Sequence, residues 1–432
     1  MARLSTAKLS ETLKERGYVY QHSSEKLGEI TDGAKRTLYL GIDPSADSLQ
    51  VGQLHAFLIL RRFLEDGHKV ILVIGGGTGM IGDPGGKSAE RVLLDAETVG
   101  KNAEAITAQV KRLLGSTDPN RREASNGAGF TLVNNADWLS KLTLVEFLRD
   151  VGKHFSVNTM LQREMVRERL KNEEQGISYT EFSYMLLQAY DYLHLHQIYA
   201  CDLQVGGSDQ WGNIISGVDF IRRKTGDSVY AYTWPLLVDK AGKKFGKSEQ
   251  GTVWLDAVKT TPFQFYQFWL NTEDAPLEEY LLKMTLLSKE EIGMALELHK
   301  RDPKERHGQK LLAREVTALV HGLEESTAAE KVSDVLFGDA AVSSLDADAV
   351  ATLRISAPSQ EIKEGTNIVD VLVASSLAGS KREARQFITD KAVGLNGTIV
   401  ADDKHKLVPE DFHKGIALLK RGKRNVCVLM LS

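Results

Sequence analysis

The stretch Tyr39-Leu40-Gly41-Ile42-Asp43-Pro44-Ser45-Ala46-Asp47-Ser48-Leu49-Gln50-Val51-Gly52-Gln53 decides how the chain is read. It leaves an apolar run at 38–42, breaks at Asp43-Pro44 and enters an amphipathic segment over about 52–66. A short buried run followed by a longer helical period is one half of a strand–helix–strand unit. Asp47 or Ser48 is suited to cap the helix. Gln50 and Gln53, three apart, share one side of its first turn. Gly52 offers no side chain, so a flat ring can lie against the backbone there. Helix N-termini favour anions, so the turn suits a nucleotide.

The same alternation continues outward. Strands are expected at 70–74, 130–133, 198–205 and 229–238, with helices near 95–114, 141–151, 180–192 and 209–224. This pattern implies a parallel sheet covered by helices. Its ligands bind beyond the carboxyl ends of the strands, which directs attention to the loops after residues 42, 74, 133 and 205. The expected divisions are an α/β catalytic domain over 1–255, a helical domain over 256–340, a linker over 341–360 and a small unit over 361–432. The small unit begins with helical periodicity at 368–377 and 381–389. It ends with strands at 393–395, 398–400 and 426–431.

Composition excludes several classes. Of 432 residues, 42% are hydrophobic and 26% charged, which is ordinary for a globular protein. The charge is −4, from 54 Lys+Arg against 58 Asp+Glu, so the chain is not uniformly basic. The average hides an asymmetry: residues 361–432 carry 12 Lys+Arg and 9 Asp+Glu, and the remainder carries 42 and 49. Two basic clusters, Lys381-Arg382 with Arg385 and Lys420-Arg421 with Lys423-Arg424, point to an RNA or other anionic partner for this end. Two cysteines, Cys201 and Cys427, provide no disulfide framework. No apolar run reaches the roughly 20 residues that span a bilayer, and the first residues do not read as a secretory signal. A cytoplasmic protein without a membrane partner is expected.

The glycine-rich segments are less direct. Gly77-Thr78-Gly79-Met80-Ile81-Gly82 fits a dinucleotide fingerprint, but Asp83-Pro84-Gly85-Gly86 interrupts the helix that should follow. Gly86-Lys87-Ser88 ends like a phosphate-binding loop, yet Ile81 stands where its first glycine belongs. What remains is a plain surface turn or a mobile clamp carrying Asp83, Lys87 and Arg91. Lys243-Lys244-Phe245-Gly246-Lys247-Ser248 is either an exposed loop or a place where Lys244 and Lys247 neutralise a transferring phosphate. His194 and His196 near Cys201 and Asp202 lack the companions of a metal site.

Together these segments resemble the class I aminoacyl-tRNA synthetases, most closely the bacterial-type tyrosyl-tRNA synthetase family, over nearly the whole chain. The resemblance rests on the opening stretch, on Gly76 to Pro84, on Tyr184-Met185-Leu186-Leu187-Gln188-Ala189-Tyr190-Asp191, on Gln204 to Asn213, and on Lys244 to Ser248. The last unit, Ser380 to Arg385 through Ala392 to Gly397, is similar to an RNA-binding fold of a ribosomal small-subunit protein. The resemblance implies a Rossmann-like parallel-sheet catalytic domain, an α-helical anticodon-binding domain and a small α+β RNA-binding domain. It implies a tyrosine–tRNA ligase that makes tyrosyl-adenylate from L-tyrosine and ATP, then charges tRNA(Tyr). It also implies a homodimer, with Mg2+ arriving on ATP rather than in a dedicated protein site.

Carried over motif by motif, Tyr39 and Asp191 would bind the phenol hydroxyl. Asp83, Tyr184 and Gln188 would hold the α-ammonium group, with Gln210 near the carboxylate. Gly41, Asp43, Gly52, Gly207 and Asp209 would line the adenosine site. Lys87, Arg91, Lys244 and Lys247 would surround the pyrophosphate, and Lys381, Arg382, Arg385, Lys420 and Arg421 would meet RNA.

One departure stands out. The family's HIGH-like signature carries two histidines, whereas this chain has Gln50-Val51-Gly52-Gln53. A glutamine amide still donates hydrogen bonds but cannot carry the charge of an imidazolium. The expectation is an active enzyme that leans on its lysines and helix terminus; a weakened paralogue and a conservative local change compete with it. A tryptophan-specific sister enzyme and a non-catalytic RNA-binding or splicing protein on the same scaffold are the alternative functions. Tyr39 with Asp191 and the C-terminal unit disfavour the first. The retained pocket disfavours the second.

Overall fold

The computed structural model describes residues 8–84, 93–114, 129–171, 176–238, 245–248, 251–422 and 425–432, with backbone alone at 165, 168, 247 and 248. Its contacts divide the chain into two compact units, Met1–Asp256 with Leu282–Leu286, and Ala257–Leu281 with Leu287–Ser432.

The first unit is built on six strands: β1 (Gln21–His22), β2 (Thr37–Ile42), β3 (Lys69–Ile74), β4 (Phe130–Asn134), β5 (Leu203–Gly207) and β6 (Tyr230–Trp234). Their order is β1-β6-β5-β2-β3-β4. Strands β2 to β6 pair in parallel, and β1 lies antiparallel at the edge. The near-continuous apolar runs follow from burial on both faces: Val70 to Ile74 are all buried. The chain first adds β3 and β4 on one side of β2, then places β5 and β6 on the other. The winding direction therefore changes between β2 and β5, where Tyr39 is in register with Gln204. A crevice opens beyond the carboxyl ends at such a point.

Two expected strands are shorter than their apolar runs. The 198–205 strand is confined to Leu203–Gly207, because the helix Tyr179–Tyr199 keeps Leu193 and Leu195 buried and ends only at Ala200, in the left-handed region (φ 52°). The 229–238 strand stops at Trp234, since Pro235 has no N–H for the ladder.

In the second unit, helices Pro262–Leu270, Lys289–Arg301, His307–His321 and Leu323–Phe337 precede a five-stranded sheet. Thr261 and Ser288 cap the first two by accepting from the backbone N–H three residues on. The sheet takes the order β11-β10-β12-β13-β9, where the strands β7 (Lys247–Ser248) and β8 (Gly251–Thr252) belong to the first unit. The five are β9 (Ser359–Ile362), β10 (Val393–Leu395), β11 (Thr398–Ile399), β12 (Ile416–Arg421) and β13 (Asn425–Leu431). Asn396 (φ 50°) and Gly397 (φ 86°) make the two-residue turn between β10 and β11, both with the positive φ that a tight hairpin needs. Ile368, Leu372, Ala384, Leu419 and Leu429 form the core beneath the helices Ile368–Ala374 and Lys381–Thr389.

One expectation is corrected here. Residues 341–360 are no bare linker: the helix Ala347–Ser356 buries Val350 and Leu353, and β9 pairs in parallel with β13. Its Ala, Ser and Asp content conceals an ordinary helix capped by Asp346, whose side chain accepts from Ala349 N. Lys420 and Arg421 end β12, which pairs antiparallel with β13, Arg421 opposite Asn425, and whose residues Ile416 to Leu419 are buried.

Within the first unit, Arg169 donates to both oxygens of Glu181, at 3.2 and 2.8 Å, and to the Gly176 carbonyl. The two side chains are only 4% and 1% exposed. Glu181→Gln leaves a buried guanidinium without its counter-charge, and a loss of about 3–5 kcal/mol in urea unfolding is expected. Replacing Arg169 by Met and Glu181 by Leu together should recover most of it.

Candidate active site

The crevice beyond β2 and β5 holds a cavity of about 330 Å³. The helix Tyr179–Tyr199 starts at Ser178, whose hydroxyl accepts from Glu181 N, and presents Tyr184, Gln188 and Asp191 at the spacing of one helix face. All three line the cavity together with Tyr39, Asp83 and Gln210. The six residues expected around the amino acid are thus brought together.

Asp191 lies at the dry end, 4% exposed. Its carboxylate accepts from Trp138 Nε1 at 2.7 Å and from Asn135 Nδ2 at 2.9 Å. Burial pushes its pKa up to about 7 despite these two donors, and the charge of Asp43 adds to the effect. Tyr39, 1% exposed, donates at 3.5 Å to the Gln188 carbonyl and packs edge-on against Tyr192. Burial, then the charge of Asp191, raises its phenol well above the ordinary value.

Asn135 also donates to Thr78 Oγ1 at 2.9 Å and accepts from Gly77 N at 2.8 Å. Thr78 in turn donates to Asp43 Oδ1, and Tyr184 donates to Asp43 Oδ2, both at 2.7 Å. Asp83 accepts from Gln210 Nε2 at 2.7 Å and from Asn213 Nδ2 at 3.4 Å. The side-chain oxygen of Gln188 is buried with no hydrogen-bond partner among the described residues. Asp43, Asp83, Asp191 and Asp209 line this cavity with no lysine or arginine among the described lining residues. Such a pocket suits a ligand carrying a positive group beside a hydroxylated ring.

The nucleotide end differs from expectation in detail. Gly41, Asp43, Gly52, Gly207 and Asp209 do line the cavity, but the Asp43 carboxylate is occupied by Thr78 and Tyr184. Gly52 does not face open space: a Cβ there would lie 2.7 Å from the Phe245 carbonyl oxygen, so its bareness admits the 245–246 backbone. Neither Asp47 nor Ser48 caps the helix. Gln50 and Gln53 open it through a 3-10 turn, Val51–Gln53, in which Gln50 N donates to Gln53 Oε1 at 2.9 Å. That bond occupies the Gln53 amide oxygen and leaves its NH2 to donate. Lys87, Arg91 and Lys244, and the side chain of Lys247, lie outside the described residues. The backbone entering and crossing the 77–82 segment packs closely: a Cβ on Gly75 would fall 2.1 Å from Asp43 Oδ1, and one on Gly79 3.1 Å from Pro44 Cδ.

Asn135, Trp138, Thr78 and Asn213 are the functional candidates that sequence reasoning missed. The loop after residue 133 was marked by strand topology, and Asn134-Asn135 at its start was the available signal. His196 binds the Cys201 carbonyl and Asp227, and His194 stacks on Trp138.

The basic residues of the second unit are largely engaged. Lys381 pairs with Asp370 at 2.6 Å and Arg385 with Asp403 at 3.4 Å. Lys420 donates to the Val335 carbonyl at 2.9 Å, and Arg421 stacks over Phe387. Arg382 alone of the five has no ion pair, hydrogen bond or ring contact among the described residues. Lys423 and Arg424 lie outside them.

Residues 31–338 match the family described as class I tRNA synthetases for W and Y, and residues 350–429 match the C-terminal domain of tyrosine–tRNA ligases of the SYY type. The tyrosine–tRNA ligase of Aliivibrio fischeri is 47% identical over 425 residues, covering 97% of this chain and 98% of that protein. A truncated mitochondrial tyrosyl-tRNA synthetase of Aspergillus nidulans superposes with a TM-score of 0.67 at 31% identity, over 75% of this chain and 92% of its own. That of Coccidioides posadasii gives 0.66 at 31% identity, over 76% and 92%. The chain belongs to the class I aminoacyl-tRNA synthetases of the tyrosine and tryptophan family.

Proposed function

We propose that the cavity joins L-tyrosine to tRNA(Tyr) in two steps; the chain is a tyrosine–tRNA ligase. The tyrosine carboxylate attacks the α-phosphate of ATP, giving tyrosyl-adenylate and pyrophosphate. A hydroxyl of the 3′-terminal adenosine then attacks the tyrosyl carbonyl and releases AMP. The carboxylate is itself the nucleophile, so the protein's task is alignment and charge stabilisation.

The observation that carries the reading is Asp191, buried beside Tyr39 and held by Trp138 and Asn135. A phenol hydroxyl completes this group, and a phenylalanine ring leaves it desolvated and unmatched. The free oxygen of Gln188, with Asp83 and Tyr184, suits the α-ammonium group. Gln210 stands near the carboxylate. Gly41, Gly52, Gly207 and Asp209 take the adenosine, with Asp43 bridging toward Tyr184. Lys87, Arg91, Lys244 and Lys247 are assigned to the pyrophosphate, with Gln50 and Gln53 as neutral donors. Mg2+ enters on the phosphate oxygens.

The division of labour proposed is catalysis over 1–255, anticodon contact over 256–340 and RNA contact over 361–432, in a cytoplasmic homodimer. The exposed apolar side chains Leu144, Val145, Leu148 and Val157 support a face for a second copy. Among the described residues no helix is long and apolar enough to cross a membrane.

ATP–pyrophosphate exchange with tyrosine, tryptophan and phenylalanine tests the activity; exchange with tyrosine alone is expected. The Gln50→His/Gln53→His variant should change the rate without being required for it. No exchange in the unsubstituted chain, restored in that variant, overturns the assignment of Gln50 and Gln53 as working donors.

Asp191→Asn should raise the KM for tyrosine by about ten- to a hundredfold, the worth of a charged hydrogen bond. Burial favours the protonated acid, and the phenol donates best to the ionised one. The KM for tyrosine should therefore fall as pH rises through about 7, and Asp191→Asn should flatten that profile.

Arg382→Ala should weaken tRNA(Tyr) binding and lower the slope of log K against log salt by about one. Lys381→Ala and Arg385→Ala, whose charges already face carboxylates, should do less.

A further inference from the structure

The turn 48–53 carries the altered signature, and it is gripped from two sides. On one side it borrows a strand's hydrogen bonds: Val51 N donates to the Val253 carbonyl and Leu255 N to the Leu49 carbonyl, each at 2.9 Å. On the other side stands Gln109 of the helix Ala96–Leu114, 3% exposed. Its amide oxygen accepts from Leu49 N at 2.9 Å, and its NH2 donates to Ser48 Oγ at 3.0 Å. Two turns earlier on the same helix, Asn102 donates to the Pro44 carbonyl at 2.9 Å.

Leu49 N–H is a buried backbone donor immediately before Gln50, with no helix or sheet partner of its own. An unmet donor of this kind is costly. Gln109 supplies the acceptor; because the Leu49 N–H can only donate, it fixes which way the amide faces and leaves the NH2 for Ser48 Oγ. The arrangement sets where the backbone of Gln50 begins its 3-10 turn, and hence where the Gln53 amide and Gly52 stand at the mouth of the cavity.

We propose that Gln109 is a positioning residue for the nucleotide step: it touches neither substrate but fixes the turn that presents Gln50, Gly52 and Gln53. The inference rests on the assignment of that turn to ATP. Removing Gln109 loosens the nucleotide end and leaves the tyrosine pocket intact, since Asp191, Asn135 and Tyr184 make no bond to the 48–49 segment.

The test compares Gln109→Leu with Gln109→Glu, which keeps an acceptor for Leu49 N–H. In tyrosine-dependent exchange, Gln109→Leu should raise the KM for ATP about tenfold, as loss of one buried hydrogen bond does, with the KM for tyrosine changed less than about twofold. Gln109→Glu should recover at least half of the loss on a logarithmic scale. Amide hydrogen exchange on the unliganded protein, read at 48–53, should quicken in Gln109→Leu, and this readout needs no activity. Unaltered exchange protection, equal rises in both KM values, or a fall in melting temperature without any change in KM for ATP each overturns the proposal. Absence of pyrophosphate exchange in the unsubstituted chain counts against the ligase reading, while the hydrogen-exchange arm still decides the role of Gln109 in the turn.

Discussion

Asn135 uses both N–H groups and the oxygen of its amide, and by doing so ties three parts of the chain to one point. Its oxygen takes the N–H of Gly77, and its nitrogen serves Thr78 and Asp191. The arrangement requires β3 and β4 to be in register, Ile74 opposite Asn134, so that the loops leaving them meet. It requires Thr78 to reach Asp43 at the end of β2, and the long helix to bring Asp191 down to the same place. A buried polar network is favourable only when every member is satisfied. Here its satisfaction and the geometry of the cavity are the same condition.

Charge is distributed along that cavity to match a substrate of mixed sign. Two carboxylates, Asp83 and Asp191, stand at the end assigned to the amino acid. They favour an ammonium group and would repel a nucleotide that strayed into it. The triphosphate needs the opposite environment, which the lysines and arginine at 87, 91, 244 and 247 and the N–H groups of a helix start are suited to supply. Replacing imidazoles by amides at 50 and 53 removes two groups able to become cationic and makes the signature turn insensitive to pH.

How much of this was legible depended on the range of the forces involved. Strand and helix periodicity is local, and the alternation from Thr37 to Trp234 was readable because burial on both faces leaves an almost continuous apolar run in β2 and β3. Tyr184, Gln188 and Asp191 could be placed on one face because their spacing is set by a single helix. Asn135 and Trp138 could not be assigned. Their partners are 53 to 58 positions away, and no spacing rule links an indole and an amide to a carboxylate across that distance. Gly52 was read as open, since the peptide that faces it arrives almost 200 residues later in the chain as Phe245. Which cations of the last unit stand beside a carboxylate was hidden for the same reason. Sequence shows a cation, and only the fold shows whether an aspartate already stands beside it.

Lys420 illustrates where such a charge can go. Its ammonium group donates to the last turn of the helix Leu323–Phe337, and burial lowers its affinity for the proton. It therefore acts as a rivet between the helical part of the second unit and the five-stranded sheet. The two RNA contacts proposed for this unit would then be carried on one body. Once one had engaged, the other would meet its portion of the RNA at an effective concentration set by a fixed span rather than by a wandering tether.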